Sequence, residues 1–199
     1  MNSGNKQLSI EECEKILKVD PSNISALSDK AFALNKIGKH QEALEIIEKI
    51  LKIEPEDFWA LKHKEYTLGE LGRHQEALDI CEKLLEIDPE NEKVLYSKGR
   101  VLNELGRYID ALKILDQVLK INPKNINALN SGSYALHKLG KHQAALDILD
   151  RALKIDPNNE TTIKNQEKES WEVTKLMVRE FLLPRKNEED KSNDTEYKK

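Results

Sequence analysis

Apolar residues along most of this chain recur at three- and four-residue spacing, the period of helices with one buried face. Leu44, Ile47 and Leu51 mark such a face in one stretch, and Leu112, Leu115 and Leu119 in another. The helical stretches alternate between two kinds. SALSDKAFALNKI stops at Gly38, whereas HQEALEIIEKILKIE runs on to Pro55. A glycine just past a helix end supplies the positive φ of a C-terminal cap. A proline ends the following helix because it lacks an N–H and restricts the residue before it. The pattern therefore predicts a unit of helix, glycine turn, helix and proline turn.

The unit repeats without a slip. Five of the six prolines, Pro21, Pro55, Pro89, Pro123 and Pro157, lie 34 residues apart. Gly38, Gly72, Gly106 and Gly140 keep the same period, as do Ala43, Ala77, Ala111 and Ala145. Asn23, Asp57, Asn91, Asn125 and Asn159 follow two places after the prolines, where a side-chain oxygen can cap the orphan N–H groups of a new helix. The alanine column calls for a small side chain where paired helices approach to roughly 8–10 Å.

Repeat length, closing proline, turn glycine and the small residue early in the second helix resemble the tetratricopeptide repeat. The resemblance implies an all-α fold, a right-handed helix-turn-helix solenoid or alpha-alpha superhelix. In this frame residues 1–8 are a disordered start and 9–183 a single solenoid. The solenoid divides into a half repeat at 9–21, full repeats at 24–55, 58–89, 92–123 and 126–157, and a capping helix at 160–183. The charged segment 184–199 reads as a disordered tail. Two columns depart from the family pattern. The seventh residue of the first helix, where an apolar side chain is expected, is Lys30, Lys64, Lys98 and Gly132; the eighth, normally small, is Glu65 in the second unit.

Composition narrows the function. Of 199 residues, 38% are hydrophobic and 34% charged, with a net charge of −4. No apolar run approaches the roughly 18–20 residues of a membrane span, and MNSGNKQLSIEE holds no apolar signal core. The expectation is a soluble, cytoplasmic helical protein with no membrane partner. The acidic balance gives no reason to expect nucleic acid. Cys13 and Cys81 share one repeat position two repeats apart, too far for a disulfide, and read as small core residues.

Candidate chemistry is sparse. His40, His74 and His142 occupy one repeat position, held by Tyr108 in the third unit, and read as a packing column beside the glycine turn. His63 and His137 stand elsewhere, again two repeats apart, so no metal site and no cofactor is expected. No GxSxG, HExxH or phosphate-cradling glycine loop occurs, and no enzyme is expected.

The resemblance implies a non-catalytic protein–protein interaction scaffold or adaptor whose first helices line a concave, peptide-binding groove. The groove set is Phe32, Lys36, Trp59, Lys62, Tyr66, Lys93, Tyr96, Arg100, Asn127, Asn130, Tyr134 and Lys138. Aromatic anchors beside Lys and Arg imply a protein or peptide partner with apolar anchors and some negative charge. Chaperone-binding relatives hold a terminal carboxylate with a set of Lys, Asn and Arg; the matching positions here, Ser28, Phe32, His63, Lys93 and Ser97 in one register, do not supply it. Chaperone tails are not the favoured ligand. One alternative is a homodimer or other self-assembly through the last helix, where Trp171, Met177, Phe181 and Leu182 form a second interface to another protomer or to a partner. A remote alternative is single-stranded RNA on the basic aromatic groove.

Overall fold

The computed structural model describes residues 8–182, apart from the side chains of Glu180 and Leu182. The two expected disordered ends, 1–8 and 184–199, fall outside the described residues except for Leu8, as does Leu183 at the end of the expected capping helix. Ten helices and no strand are found among the described residues. They are α1 (Ile10–Val19), α2 (Ile24–Lys36), α3 (His40–Ile53), α4 (Phe58–Glu70) and α5 (His74–Ile87). Then come α6 (Glu92–Glu104), α7 (Tyr108–Ile121), α8 (Ile126–Lys138), α9 (His142–Ile155) and α10 (Glu160–Leu182). Each helix packs on its neighbours in sequence, and α2 also touches α4, α6 touches α8, and α8 touches α10. This is a helical solenoid.

The turns follow the chemistry of the repeat. Gly38, Gly72, Gly106 and Gly140 all sit at φ between 70° and 77°. That conformation lets the N–H of the next residue reach back across the helix end, Lys39 to Leu34, Arg73 to Leu68, Arg107 to Leu102 and Lys141 to Leu136, each at 2.9 Å. Asn23, Asp57, Asn91 and Asn125 accept the backbone N–H of Ala26, Ala60, Val94 and Ala128 at the next helix start.

The core runs as a chain of clusters from one repeat to the next. Ala43, Ala77, Ala111 and Ala145 are completely buried. Cys13 and Cys81 are buried free thiols, and burial pushes both above the ordinary thiol range. The lysines at the seventh position have partners that spacing within a single repeat hides. Lys30, Lys64 and Lys98 reach Glu14, Glu48 and Glu82 of the preceding second helix at 2.9, 3.1 and 3.2 Å. Each lysine stem lies half-buried while its partner stays in water, so the pairs add little to stability. Gly132 interrupts this ladder, and Gln166 resumes it by donating to Asp150 at 2.6 Å.

The two mid-helix glycines differ in what surrounds them. A Cβ on Gly99 would stand 2.7 Å from Cδ2 and 2.8 Å from Cγ of buried Leu115, whereas one on Gly132 meets nothing closer than 3.9 Å. Alanine in place of glycine favours a helix interior by about 1 kcal/mol. Overpacking a rigid core costs about 1–3 kcal/mol. Gly132→Ala should therefore raise the unfolding free energy by up to about 1 kcal/mol, and Gly99→Ala should lower it. Urea titrations of the two variants check this, and equal shifts of the same sign would contradict it.

Candidate concave site

The first helices of successive repeats line two adjoining hollows. The larger, about 600 Å³, is walled by α2, α4 and α6 through Phe32, Lys36, Lys62, Tyr66, Tyr96 and Arg100, with Asn35, His63, Glu65 and Ser97 below them. The smaller, about 320 Å³, shares Tyr96 and Arg100 and continues over Asn127, Asn130 and Tyr134 to the start of α10. Three residues of the sequence-predicted set stand outside both walls. Trp59 packs against the core of the first repeat and stacks on His63, ring centroids 4.0 Å apart. Lys93 is exposed near the start of α6. Lys138, at the end of α8, lies over the Tyr134 ring at 5.4 Å.

The aromatic walls are held from behind. The His40 ring meets Tyr66 edge-on at 6.4 Å, and Tyr108 meets Tyr134 in the same way at 6.3 Å. The packing column beside the glycine turn thus orients the ninth-position aromatic of the next repeat. Lys36 Nζ lies 4.9 Å over the Phe32 ring, a cation–π contact that keeps the ammonium at the rim.

The floor carries polar groups with unused capacity. Glu65 is only 4% exposed. Its Oε1 has no hydrogen-bond partner and faces Arg100 Nη2 at 3.8 Å, beyond hydrogen-bond distance. Burial pushes its carboxyl above the ordinary value of 4.5, opposed by Arg100, a Ser97 hydrogen bond and Lys62. Beside it, His63 Nδ1 is also buried without a partner, and burial together with Lys62 holds this imidazole below its ordinary 6.5. The charge at the eighth position, a local defect of the repeat pattern, is here part of the hollow's floor.

A family profile described as the Psidin N-terminal tetratricopeptide repeat region matches residues 1–99, and two tetratricopeptide repeat profiles match 70–131 and 127–159. The chain belongs to the tetratricopeptide repeat family. No curated protein sequence matches it significantly. Among solved structures, a tetratricopeptide repeat protein from Parabacteroides merdae is similar over 86% of this chain and 68% of its own, with 20% identity and a TM-score of 0.76. A MamA RS-1 double mutant is similar over 76% of this chain and 85% of its own, at 16% identity and a TM-score of 0.70. A further MamA crystal structure shares 22% identity over 74% of this chain and 86% of its own, TM-score 0.68. These likenesses establish the shared fold, and the repeat family supports a protein-interaction or scaffolding role. Among the described residues no helix is long and apolar enough to cross a membrane.

The raised Glu65 carboxyl has a measurable consequence. The folded chain keeps this proton to a higher pH than the unfolded chain, so it binds more protons above the ordinary value of 4.5. The contribution of Glu65 to stability is therefore greatest at or below that pH and declines as pH rises through its folded value. Glu65→Gln removes this decline. Unfolding free energies measured from about pH 4.5 to 7.5 should converge on, or cross, the wild-type curve at low pH and exceed it at neutral pH; parallel curves would contradict the assignment.

Proposed function

We propose that this chain is a non-catalytic adaptor that binds a protein segment, extended or helical, along the hollows lined by α2, α4, α6 and α8. The observation that carries the reading is the larger hollow itself. Phe32, Tyr66 and Tyr96 offer apolar area at low entropic cost, and Lys36, Lys62 and Arg100 surround them with positive charge. Apolar anchors with acidic neighbours fit this lining. Electrostatic steering by the three cations favours fast encounter and makes binding sensitive to salt. Glu65 Oε1 and His63 Nδ1, both without a hydrogen-bond partner, offer an acceptor and a second polar site to any donor the segment inserts between the aromatics. Chaperone tails remain a disfavoured ligand because the carboxylate-holding set is not assembled at the matching positions.

The test separates binding from folding. Tyr66 and Lys62 are both exposed on α4, so Tyr66→Ala with Lys62→Glu leaves the repeat core intact. Partners captured from source lysate by the wild type should bind the double variant at least about tenfold more weakly, with an unchanged helical circular-dichroism spectrum. Partners retained at full affinity would remove the groove from consideration.

A second reading rests on α10. Trp171 is 65% and Phe181 88% exposed, and Met177, Leu176 and Val178 are exposed between them. That surface favours self-assembly through the last helix. Sedimentation at two concentrations should then show a dimer that deletion of residues 171–199 abolishes; a monomer at both concentrations would dismiss it.

A further inference from the structure

Three register positions recur around the glycine turns, and in the first and last repeats their side chains meet: the twelfth residue of the first helix, the first residue of the second helix, and the tenth residue of the next first helix. In the first repeat they are Asn35, His40 and Thr67. Asn35 Nδ2 donates to Thr67 Oγ1 at 2.8 Å, and Asn35 Oδ1 lies 3.0 Å from His40 Nδ1, so this junction closes as a neutral network. The second junction holds Gly69, His74 and Val101, and the third Asn103, Tyr108 and Ala135. The last holds His137, His142 and, on α10, Glu169.

Only this last junction assembles two imidazoles around a carboxylate. Glu169 is 4% exposed, and both histidines are largely covered. His137 Nδ1 lies 2.6 Å from Oε1 and His142 Nδ1 2.9 Å from Oε2. The two contacts are not alike. His142 is aligned with its oxygen as a hydrogen bond, whereas His137 Nδ1, despite its closeness, has no aligned hydrogen-bond partner. One ligand atom from each residue falls within 4.8 Å of the others, and among the described residues this is the group of three so placed. Histidines of two different columns meet here, which each column read by itself does not reveal.

We propose that His137, His142 and Glu169 bind a divalent transition-metal ion of the zinc type, joining α10 to the last helix pair. Two neutral imidazole nitrogens and a carboxylate suit such an ion, with bonds of about 2.0–2.2 Å and one position left open. Around a tetrahedral ion, neighbouring ligand atoms stand roughly 3.3 Å apart, so the contacts of 2.6 and 2.9 Å need to open by about 0.7 and 0.4 Å, within reach of side-chain rotation. Calcium and magnesium are excluded by their demand for oxygen ligands. The ion would neutralise a carboxylate taken out of water and give His137 Nδ1 the partner it lacks. It acts as a clamp on the helix whose far half carries the exposed Trp171 and Phe181, so the two surfaces of α10 become coupled through one site.

The experiment uses the full chain stripped with a chelator and then titrated with Zn²⁺, with Co²⁺ as a spectroscopic probe. The wild type should take up one equivalent, develop visible Co²⁺ bands of low-symmetry nitrogen and oxygen coordination, and melt at a higher temperature with Zn²⁺ than without. Glu169→Gln keeps a hydrogen-bonding side chain but removes the charged ligand, and should weaken binding by more than about tenfold. His142→Ala should do the same, and His74→Ala, in the equivalent position of the second repeat, should leave binding unchanged. A wild type that shows neither Co²⁺ bands nor a Zn²⁺-dependent shift overturns the proposal without reference to any variant. Binding that persists in both Glu169→Gln and His142→Ala also overturns it. Both outcomes are read without the groove's partner, so they leave the groove reading untouched.

Discussion

The described helices bury their apolar faces chiefly against their neighbours in sequence, and the rest of the structure depends on that reliance between neighbours. A single pair of helices cannot bury its own apolar stripe, so each repeat supplies the missing half of the adjacent core. The contact works because Ala43, Ala77, Ala111 and Ala145 bring paired axes close, and because a left-handed glycine turns the chain back within three residues. Tight packing then transmits local choices. Gly99 is fitted to Leu115, whereas Gly132 has room around it, although both stand in the middle of first helices.

A second layer of order is polar and also runs between neighbours. The lysine ladder joins α2, α4 and α6 each to the second helix before it, and glycine-turn junctions join the first repeat to the second and the last repeat to α10. Neither adds much stability alone, since ion pairs with one partner in water are weak. Their value lies in register: a buried polar junction tolerates few alternative alignments. The two ends of the array use this differently. The first repeat closes with the Asn35, His40 and Thr67 network, while the last meets α10 through a carboxylate between two histidines.

The face lined by the first helices combines features that would be defects in a plain solenoid. Glu65 occupies a position that usually packs tightly, and it lies buried between α4 and Arg100 of α6. A hollow of about 600 Å³ opens beside it, with Arg100 across from the buried carboxylate and Tyr66 at the rim. A partly uncompensated polar floor under aromatic walls is costly for the free protein, and a bound segment with a matching donor would relieve it.

Much of the architecture was legible in the residues because it rests on local rules repeated without error. Proline, glycine and the capping Asn or Asp act within a few residues, so their columns locate every turn and helix start. The aromatics of the two hollows could be placed by register alone, but their supports could not: His40 behind Tyr66 and Tyr108 behind Tyr134 belong to different repeats. The lysines at the seventh position looked like departures because their partners lie 16 residues back, across a turn. That signal was present as a column of acids at Glu14, Glu48, Glu82, Asp116 and Asp150, readable only with the stacking of neighbouring repeats in hand. Trp59 joined the core instead of the hollow because side-chain direction, unlike sequence position, is set by packing. The meeting of His137, His142 and Glu169 is the clearest case. Periodicity by itself determined the helices, turns and order of repeats; which side chains from different columns share one point in space was decided by the tertiary structure, because stacking brings together residues that local sequence spacing keeps apart.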